Sequence, residues 1–329
     1  MSSTNILLRY LRARPLRYLP FRHIGLLLLL IIFLAVGGIR CGWATALDEE
    51  IDHDGVDVWL IDTRAASTSH ASISDFSLLR YNRLCDSGWD RLGLDDFLGD
   101  FNPEQPLVVL IHGNWMTSQE AVGFAKRFYR RSRHVSENCC RVVFWSWPSE
   151  RVLRGLRQDA LLKARRSDVE ADYLVAFLRS LPVESRVSLV GFSFGGRLVC
   201  MALQELAEAE ENSLRLRSAL LAPAFDTSWL ASNRRFGDAL SVTEKMVLYY
   251  NPQDKVLRFY PLLYGFCGPR PQALGRYGIS KRSLPEEYRA KFHSINAHRA
   301  LGREHGFQGS LDAFYYSSRF AEIALFQDP

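Results

Sequence analysis

The chain has 329 residues, of which 47% are apolar and 23% charged, and this balance excludes a wholly disordered, collagen-like or multispan membrane protein. Its formal net charge of +5 comes from the first 46 residues, which hold six arginines and no acidic residue. The rest of the chain has one more acidic than basic residue, so a body that binds nucleic acid is not expected.

Residues 1–46 form an Arg-rich leader with an apolar run, residues 24–39. As a helix this run would extend about 24 Å, which is short for the roughly 30 Å of hydrocarbon in a bilayer. Ala44-Thr45-Ala46 has the small-x-small form of a signal-peptidase site, whereas the basic region before the apolar run is long for a cleaved signal. A cleaved signal and a retained anchor both stay open. Either one makes the body, residues 47–329, exported or membrane-anchored on the non-cytoplasmic side.

After residue 47 the sequence alternates short apolar runs with helical patterns. Most of the runs are apolar on both faces, as is typical of central parallel strands covered by helices on each side. The runs are Val58–Ile61, Leu107–Ile111, Val142–Trp145, Val187–Val190, Ala219–Ala222 and Met246–Tyr250. A capping-box pattern, Ser167-Asp168-Val169-Glu170, predicts the start of the helix that crosses into Val187–Val190. The sequence therefore predicts an α/β fold with a mostly parallel, doubly wound sheet and helices on both faces.

The cysteines and glycines give no sign of a metal or nucleotide cofactor. None of the six cysteines forms a C-x-x-C motif, and the adjacent pair Cys139-Cys140 cannot close a zinc site by itself. The stretch Gly191–Gly196 lacks the Lys-Ser/Thr of a phosphate-binding P-loop. We therefore expect no cofactor and no structural metal.

The run Val187–Val190 leads directly into Gly191-Phe192-Ser193-Phe194-Gly195, which has the form G-x-S-x-G, and an apolar helical pattern follows. A serine on so tight a turn takes a strained backbone conformation that exposes its hydroxyl at the top of the sheet. Gly191 and Gly195 allow neighbouring backbone to approach closely. The strand–turn–helix context predicts Ser193 as a nucleophile.

A second loop is expected beside this turn. The run Leu107–Ile111 ends in His112-Gly113-Asn114-Trp115. Attack of a serine on a carbonyl develops a negative oxygen that needs two N–H donors. We predict that the backbone amides of Phe194 and Asn114 are these donors, with the amide of Trp115 as the alternative to that of Asn114.

These motifs resemble those of α/β-hydrolases of the serine esterase and lipase type. The sequence is most similar to a bacterial branch whose members carry an Ile-His-Gly-(Tyr/Asn)-x-x-(Ser/Thr) loop and a Trp-Pro-Ser stretch, here Ile111–Thr117 and Trp147–Ser149. The resemblance covers residues 57–325 in outline and includes Ala273–Gly278. It implies the α/β-hydrolase fold and serine chemistry, whereas the substrate stays open because many members of that branch have none assigned.

The resemblance also implies the order serine, acid, histidine along the chain. Asp254 lies in the polar turn after the run Met246–Tyr250 and is the expected acid, with Asp226 as the alternative. His112 precedes the serine, so we expect it to brace its loop rather than act as the base.

Three histidines follow the acid. His305 lies in the loop before a final helix expected from about Ser310, which matches the family's position for the base. His298 is the alternative, and His293 falls inside the expected last strand, residues 291–296.

Two further segments could bear on the substrate. The basic cluster Arg151, Arg154, Arg157, Lys163, Arg165 and Arg166 is either a solvated helix face or a contact for acidic lipid headgroups or an anionic substrate. The connection 259–287 is long and mixes aromatic residues with Gly and Pro, so it is expected to shape an acyl pocket as a lid.

The sequence thus predicts one α/β-hydrolase domain that cleaves a carboxylic ester of a small molecule or lipid through an acyl-enzyme. Amide or thioester hydrolysis would use the same machinery. The alternative is a non-catalytic member of the fold, an envelope scaffold or a binding protein.

Overall fold

A computed structural model of the protein describes residues 57–71, 73–77, 79–85, 88–132, 140–210, 212–264 and 270–328. These residues belong to one compact unit, Ile51–Pro329. The leader, with its apolar run 24–39 and Ala44-Thr45-Ala46, lies outside the described residues. Among the residues described, none of the helices combines the length and apolarity that a membrane span requires.

Within the described part of the chain, nine strands form a single sheet in the order β3-β2-β1-β5-β4-β6-β7-β8-β9. Strands β1 and β4 to β9 run parallel to one another, and β2 and β3 add an antiparallel hairpin at one edge. Their bounds are β1 Asp57–Asp62, β2 Arg80–Cys85, β3 Gly88–Leu92, β4 Leu107–Ile111, β5 Arg141–Ser146, β6 Arg186–Phe192, β7 Arg215–Leu221, β8 Thr243–Tyr250 and β9 Phe292–Asn296.

The six predicted strands are confirmed, and so is the expected last strand. Every residue of β4 and of β5 is buried, which agrees with their apolar character on both faces. The β2–β3 hairpin was not predicted, because its polar strands contain no apolar run. Because the sheet is mostly parallel, the carboxyl ends of β4, β6, β8 and β9 all lie on the same side of the molecule, where the loops that follow these strands meet.

Helices pack around this sheet. The first long one, α3, packs against β1 and β5, whereas the serine-bearing turn leads into α5, which packs against β6 and α4. The helices are α1 Ile73–Phe76, α2 Leu94–Gly99, α3 Ser118–Ser132, α4 Leu156–Arg179, α5 Phe194–Glu208, α6 Tyr260–Leu263, α7 Leu274–Tyr277, α8 His298–Leu301, α9 Phe307–Tyr315 and α10 Arg319–Ala324.

The predicted start of the crossover helix at Ser167 is wrong. Helix α4 begins at Leu156, and Ser167 is buried in its middle. Its hydroxyl donates to the carbonyl of Ala164 at 2.8 Å, one turn earlier, instead of capping an amide. Glu170 accepts a hydrogen bond from the Thr63 hydroxyl at 2.8 Å rather than closing a capping box. A serine three residues before a glutamate can therefore also mark a buried helix interior.

The predicted lid, residues 259–287, contains α6, α7 and the 3₁₀ turn Lys281–Ser283, and residues 265–269 of it lie outside the described residues. Its central part pairs with the loop after β7. The amide of Leu274 donates to Phe225 at 2.7 Å, and that of Gly275 donates to Pro223 at 2.9 Å. A Cβ on Gly275 would lie 2.2 Å from the carbonyl carbon of Ala222. This part of the connection is thus packed directly against the end of the sheet, and an acyl pocket there stays a prediction.

Candidate active site

Ser193 lies on the turn between β6 and α5 with φ +54° and ψ −116°. This conformation is strained for a residue with a side chain and costs about 1–3 kcal/mol. A Cβ on Gly191 would lie 2.5 Å from the carbonyl oxygen of Gly195, and one on Gly195 would lie 2.4 Å from that of Ile111. Both predicted glycines are therefore required by backbone packing on either side of the serine.

His305 joins Ser193 to Asp254. Its Nε2 lies 3.1 Å from the Ser193 Oγ, and its Nδ1 lies 2.6 Å from the Asp254 Oδ2. Because the carboxylate can only accept, we assign the ring proton to Nδ1, which leaves Nε2 free to accept from the serine hydroxyl. The structure thus brings the three predicted side chains into one hydrogen-bonded chain, called here the candidate triad.

The loop after β8 fixes the carboxylate. The second oxygen of Asp254, Oδ1, accepts from the amides of Val256 at 2.8 Å and Leu257 at 2.7 Å. The Asp254 side chain is 1% exposed and that of His305 is 8% exposed. Both oxygens therefore have donors in a site that excludes most water.

Two further contacts hold the histidine in place. The loops that carry Asp254 and His305 are joined by a hydrogen bond from the Lys255 amide to the Arg303 carbonyl, at 3.1 Å. The ring of Phe192, one residue before the serine, packs on the His305 imidazole with centroids 4.8 Å apart. The backbone of the His305 loop is thus tied to the Asp254 loop, and the imidazole itself packs against Phe192.

The residues considered as alternative acid and base, Asp226 and His298, bind groups outside the candidate triad. Asp226 begins a 3₁₀ turn, where its Oδ1 accepts from the Ser228 amide at 2.8 Å, and its Oδ2 accepts from the Gln272 amide at 2.9 Å. His298 is half-buried, and its Nδ1 lies 3.0 Å from the Gly302 carbonyl oxygen. His293 lies within β9, as predicted, with its Nδ1 at 3.5 Å from Arg319.

The loop after β4 lies against the serine. A Cβ on Gly113 would lie 2.9 Å from the Cβ of Ser193, so the backbone of this loop passes directly beside the nucleophile. The amide of Trp115 donates to the Ser149 carbonyl at 2.8 Å and is therefore engaged. Phe194 begins α5, where the first amides have no partner within the helix. This arrangement favours the amides of Phe194 and Asn114 over that of Trp115 as oxyanion donors.

His112 braces the loop, as predicted. Its Nδ1 donates to the Gly113 carbonyl at 2.8 Å, and its Nε2 accepts from the Trp147 amide at 3.3 Å. The two rings stack with centroids 5.7 Å apart. Complete burial lowers the pKa of His112 to about 3, so the ring stays neutral and ties the His-Gly loop to the Trp-Pro-Ser stretch.

Residues 95–265, just over half of the chain, match the model of a family described as "Alpha/beta hydrolase of unknown function (DUF900)". The chain belongs to this α/β-hydrolase family.

Solved structures also match this α/β-hydrolase. A putative dienelactone hydrolase from Klebsiella pneumoniae subsp. pneumoniae has 10% sequence identity and a TM-score of 0.39, covering 76% of this chain and 93% of its own. A putative cell surface hydrolase from Lactobacillus plantarum has 12% identity and a TM-score of 0.36, covering 69% and 94%. A bacterial heroin esterase has 12% identity and a TM-score of 0.35, covering 90% and 88%. A search of curated proteins found no relative.

Sequence reasoning missed two residues that support this hydrolase's site. Asp159, buried in the first turn of α4, accepts from the Trp115 indole N–H at 2.8 Å. Arg276 donates through Nη1 to the backbone carbonyl of Asp254 at 2.7 Å. Nothing in the sequence marks Asp159, because the helix was predicted to begin at Ser167, eight residues later. Arg276 lies within Ala273–Gly278, a stretch that the resemblance singled out without giving it a role.

The described ranges of this α/β-hydrolase contain no group of three or more His, Cys, Asp or Glu side chains placed to hold a metal ion. The groups that meet at the ends of β4, β6, β8 and β9 are instead a hydroxyl, an imidazole, a carboxylate and backbone amides.

Proposed function

We propose that this α/β-hydrolase is a serine hydrolase that cleaves a carboxylic ester through an acyl-enzyme, with Ser193 as nucleophile, His305 as base and Asp254 as acid. The observation that carries the proposal is the continuous chain of hydrogen bonds, 3.1 Å from Ser193 to His305 and 2.6 Å from His305 to Asp254. A serine paired with a base that a third group orients is the arrangement that activates a hydroxyl.

In the proposed reaction the Ser193 Oγ attacks the ester carbonyl while its proton moves to Nε2 of His305. Asp254 stabilises the resulting imidazolium and holds its orientation. The amides of Phe194 and Asn114 bind the oxygen that becomes negative. His305 then gives the proton to the departing alcohol, and the acyl group stays on the serine.

Water completes the cycle. His305, neutral again, takes a proton from a water molecule that attacks the acyl-enzyme, and the acid product leaves as Ser193 recovers its proton. The ester class is supported by the resemblance of the serine turn and the loops around it to α/β-hydrolases of the serine esterase and lipase type. A small-molecule or lipid ester is the proposed substrate, met on the non-cytoplasmic side of the membrane to which the leader directs the chain.

The test is turnover of p-nitrophenyl esters of graded acyl length by the wild type and by Ser193→Ala, His305→Ala and His298→Ala. We expect kcat/KM to fall about 1000-fold for the first two variants, because each removes a member of the candidate triad. His298→Ala is the matched control, since it removes a half-buried histidine seven positions earlier in the chain that bonds the Gly302 carbonyl instead of the serine. Its kcat/KM should stay within threefold of wild type.

Retained turnover in His305→Ala would contradict the assignment of the base. A folded wild-type protein that hydrolyses none of the esters would contradict the ester proposal. A non-catalytic scaffold or binding protein would then be the better account if the serine also proves unreactive.

A further inference from the structure

A short exposed loop joins the Trp-Pro-Ser stretch to α4. This rim loop, residues 151–154, presents Val152 with 55% and Leu153 with 38% of its surface exposed. The backbone amides of both residues donate to Oδ1 of Asp159, each at 2.9 Å. A buried carboxylate thus fixes the loop so that its two aliphatic side chains stand outward.

Positive charge surrounds these two side chains. Arg151 and Arg154 flank them, and Arg157 follows in the first turn of α4. Among the residues that the structure describes, no carboxylate forms an ion pair with any of the three arginines. The two nearest acidic residues in sequence are used elsewhere, since Glu150 pairs with Arg64 and Asp159 pairs with the buried Lys163. The rim loop and the first turn of α4 therefore combine exposed apolar surface with three arginines that have no carboxylate partner in the described part of the chain.

A third apolar side chain extends the same surface. The Nε of Arg157 donates to the Leu263 carbonyl at 2.7 Å, which brings the end of α6 beside the first turn of α4. The next residue, Tyr264, is 40% exposed. Tyrosine is well suited to the boundary between water and lipid because its ring is apolar and its hydroxyl is polar.

The rim loop borders the candidate site. Asp159 holds the loop through Oδ1 and accepts from the Trp115 indole through Oδ2 at 2.8 Å. Trp115 follows Asn114, one of the two proposed oxyanion donors. One buried carboxylate therefore connects the exposed loop to the backbone that would bind the reacting ester.

We propose that the rim loop, with Arg157 and Tyr264, docks on an anionic phospholipid surface. The aliphatic side chains enter the boundary of the acyl chains, while the arginines contact lipid phosphates and keep their guanidinium groups in water. Arginines attract an anionic surface within a Debye length, each strengthening binding about fivefold. Docking brings the candidate site to the membrane, and it does not depend on the proposed chemistry.

The first experiment places an environment-sensitive fluorophore on the rim loop of the full chain. Val152→Cys is labelled, and Val183→Cys serves as the matched control because Val183 is 67% exposed and lies beyond the other end of α4. Wild-type protein treated in the same way gives the background from native cysteines. Vesicles of phosphatidylcholine alone are compared with vesicles that also contain phosphatidylglycerol.

We expect a blue shift and protection from an aqueous quencher at position 152, only on the vesicles with anionic lipid, and at least threefold more protection than at position 183. Equal protection at the two positions would overturn the proposal. So would equal protection of position 152 on both kinds of vesicle.

The second experiment reverses one charge. Arg154→Glu should reduce the association constant for docking, read from the fluorescence change at a fixed lipid composition, about 25-fold, because the charge at this position changes by two and each charge contributes about fivefold. Arg91→Glu on the exposed edge strand β3 makes the same change in net charge and should leave the constant unchanged. Equal effects of the two variants would overturn the proposal. Ser193→Ala should dock as wild type does, so loss of turnover and loss of docking are distinguished.

Discussion

Asp254 and Asp226 lie in the loops that follow the carboxyl ends of the neighbouring strands β8 and β7, yet their side chains bind different groups. Asp254 binds loop amides with one oxygen and points the other at His305. Asp226 gives both oxygens to backbone amides, those of Ser228 and Gln272. Whether an aspartate here supports the candidate triad or a turn depends on which groups donate to each of its two oxygens. The residues next to it in sequence do not show which groups these are.

Asp159 extends the comparison. It resembles Asp254, because one oxygen fixes a loop through two amides and the other accepts from a side chain of the site, the indole of Trp115. A carboxylate divided in this way couples a loop to a functional group. Asp226 instead accepts from the amide and hydroxyl of Ser228 and from the amide of Gln272, so it stabilises its own turn and joins that turn to a second loop.

The largest expected effect on kcat tests the comparison of Asp254 with Asp226. Asp254→Asn should lower kcat about 1000-fold, because an amide in place of the carboxylate no longer stabilises the imidazolium or holds its tautomer. Asp226→Asn is the matched control and should change kcat less than threefold, while weakening its turn by about 1 kcal/mol. Steady-state kinetics and urea unfolding of both variants check this. If Asp226→Asn loses activity while Asp254→Asn stays active, Asp226 is the acid of the candidate triad and the assignment of Asp254 is wrong.

The next effect concerns Asp159. Asp159→Asn should lower the free energy of unfolding by about 3 kcal/mol, because Lys163, whose side chain is fully buried, loses the charge it pairs with. Urea unfolding measures this, and kcat should fall about tenfold as Trp115 loosens. Asp159→Asn with Lys163→Met should regain part of the stability without regaining kcat. If the double variant regains both the free energy of unfolding and kcat, Asp159 does not act on the site through Trp115.

Glu170 differs from these aspartates because only one of its two oxygens has donors among the described residues. Thr63 and Trp145 donate to its Oε2, whereas its Oε1 is buried with no hydrogen-bond partner among the described residues. Burial raises the pKa of Glu170 to about 8, although the hydrogen bonds from Thr63 and Trp145 act to lower it. The folded protein therefore keeps a proton that the unfolded chain releases near pH 4.5, so this contribution to stability is lost as the pH rises towards 8.

We expect the free energy of unfolding of the wild type to fall between pH 6 and pH 8 by roughly 2 kcal/mol more than that of Glu170→Gln. Urea unfolding at several pH values gives both curves. Parallel curves for the two proteins would show that Glu170 does not titrate in this range.

The smallest effect concerns support of the Asp254 loop. Arg276→Met removes the hydrogen bond to the Asp254 carbonyl and should lower kcat about fivefold with little change in KM, since one neutral acceptor loses a charged donor. Arg282→Met is the control in the same segment, because the Arg282 side chain is exposed there. Equal kcat values for the two variants would remove Arg276 from the support of the site.

The predictable parts of the molecule are those that a short stretch of sequence determines. Each of the strands β4 to β8 contains a short apolar run, and the G-x-S-x-G turn needs its two glycines because neighbouring backbone leaves no room for a Cβ. The positions of Asp254 and His305 could be anticipated from the family order, and the structure brings both to Ser193.

The missed parts depend on contacts between distant residues. The β2–β3 hairpin is polar, and Arg83 in β2 binds Asp57 of β1 at 2.9 Å, which no local pattern indicates. Trp115 and Asp159 meet across 44 positions, and Arg276 meets Asp254 across 22. The Ser167 pattern misled for the converse reason, since a local motif was overridden by burial in a longer helix.

Reaction of the folded chain with a fluorophosphonate probe, followed by mass spectrometry of the intact protein and its peptides, tests the candidate triad most directly and needs no substrate. The account predicts one adduct per chain on the peptide that contains Ser193, none at that site in Ser193→Ala, and labelling at least 100-fold slower in His305→Ala. A folded wild-type chain that takes up no probe, or equal labelling of Ser193→Ala, would contradict it.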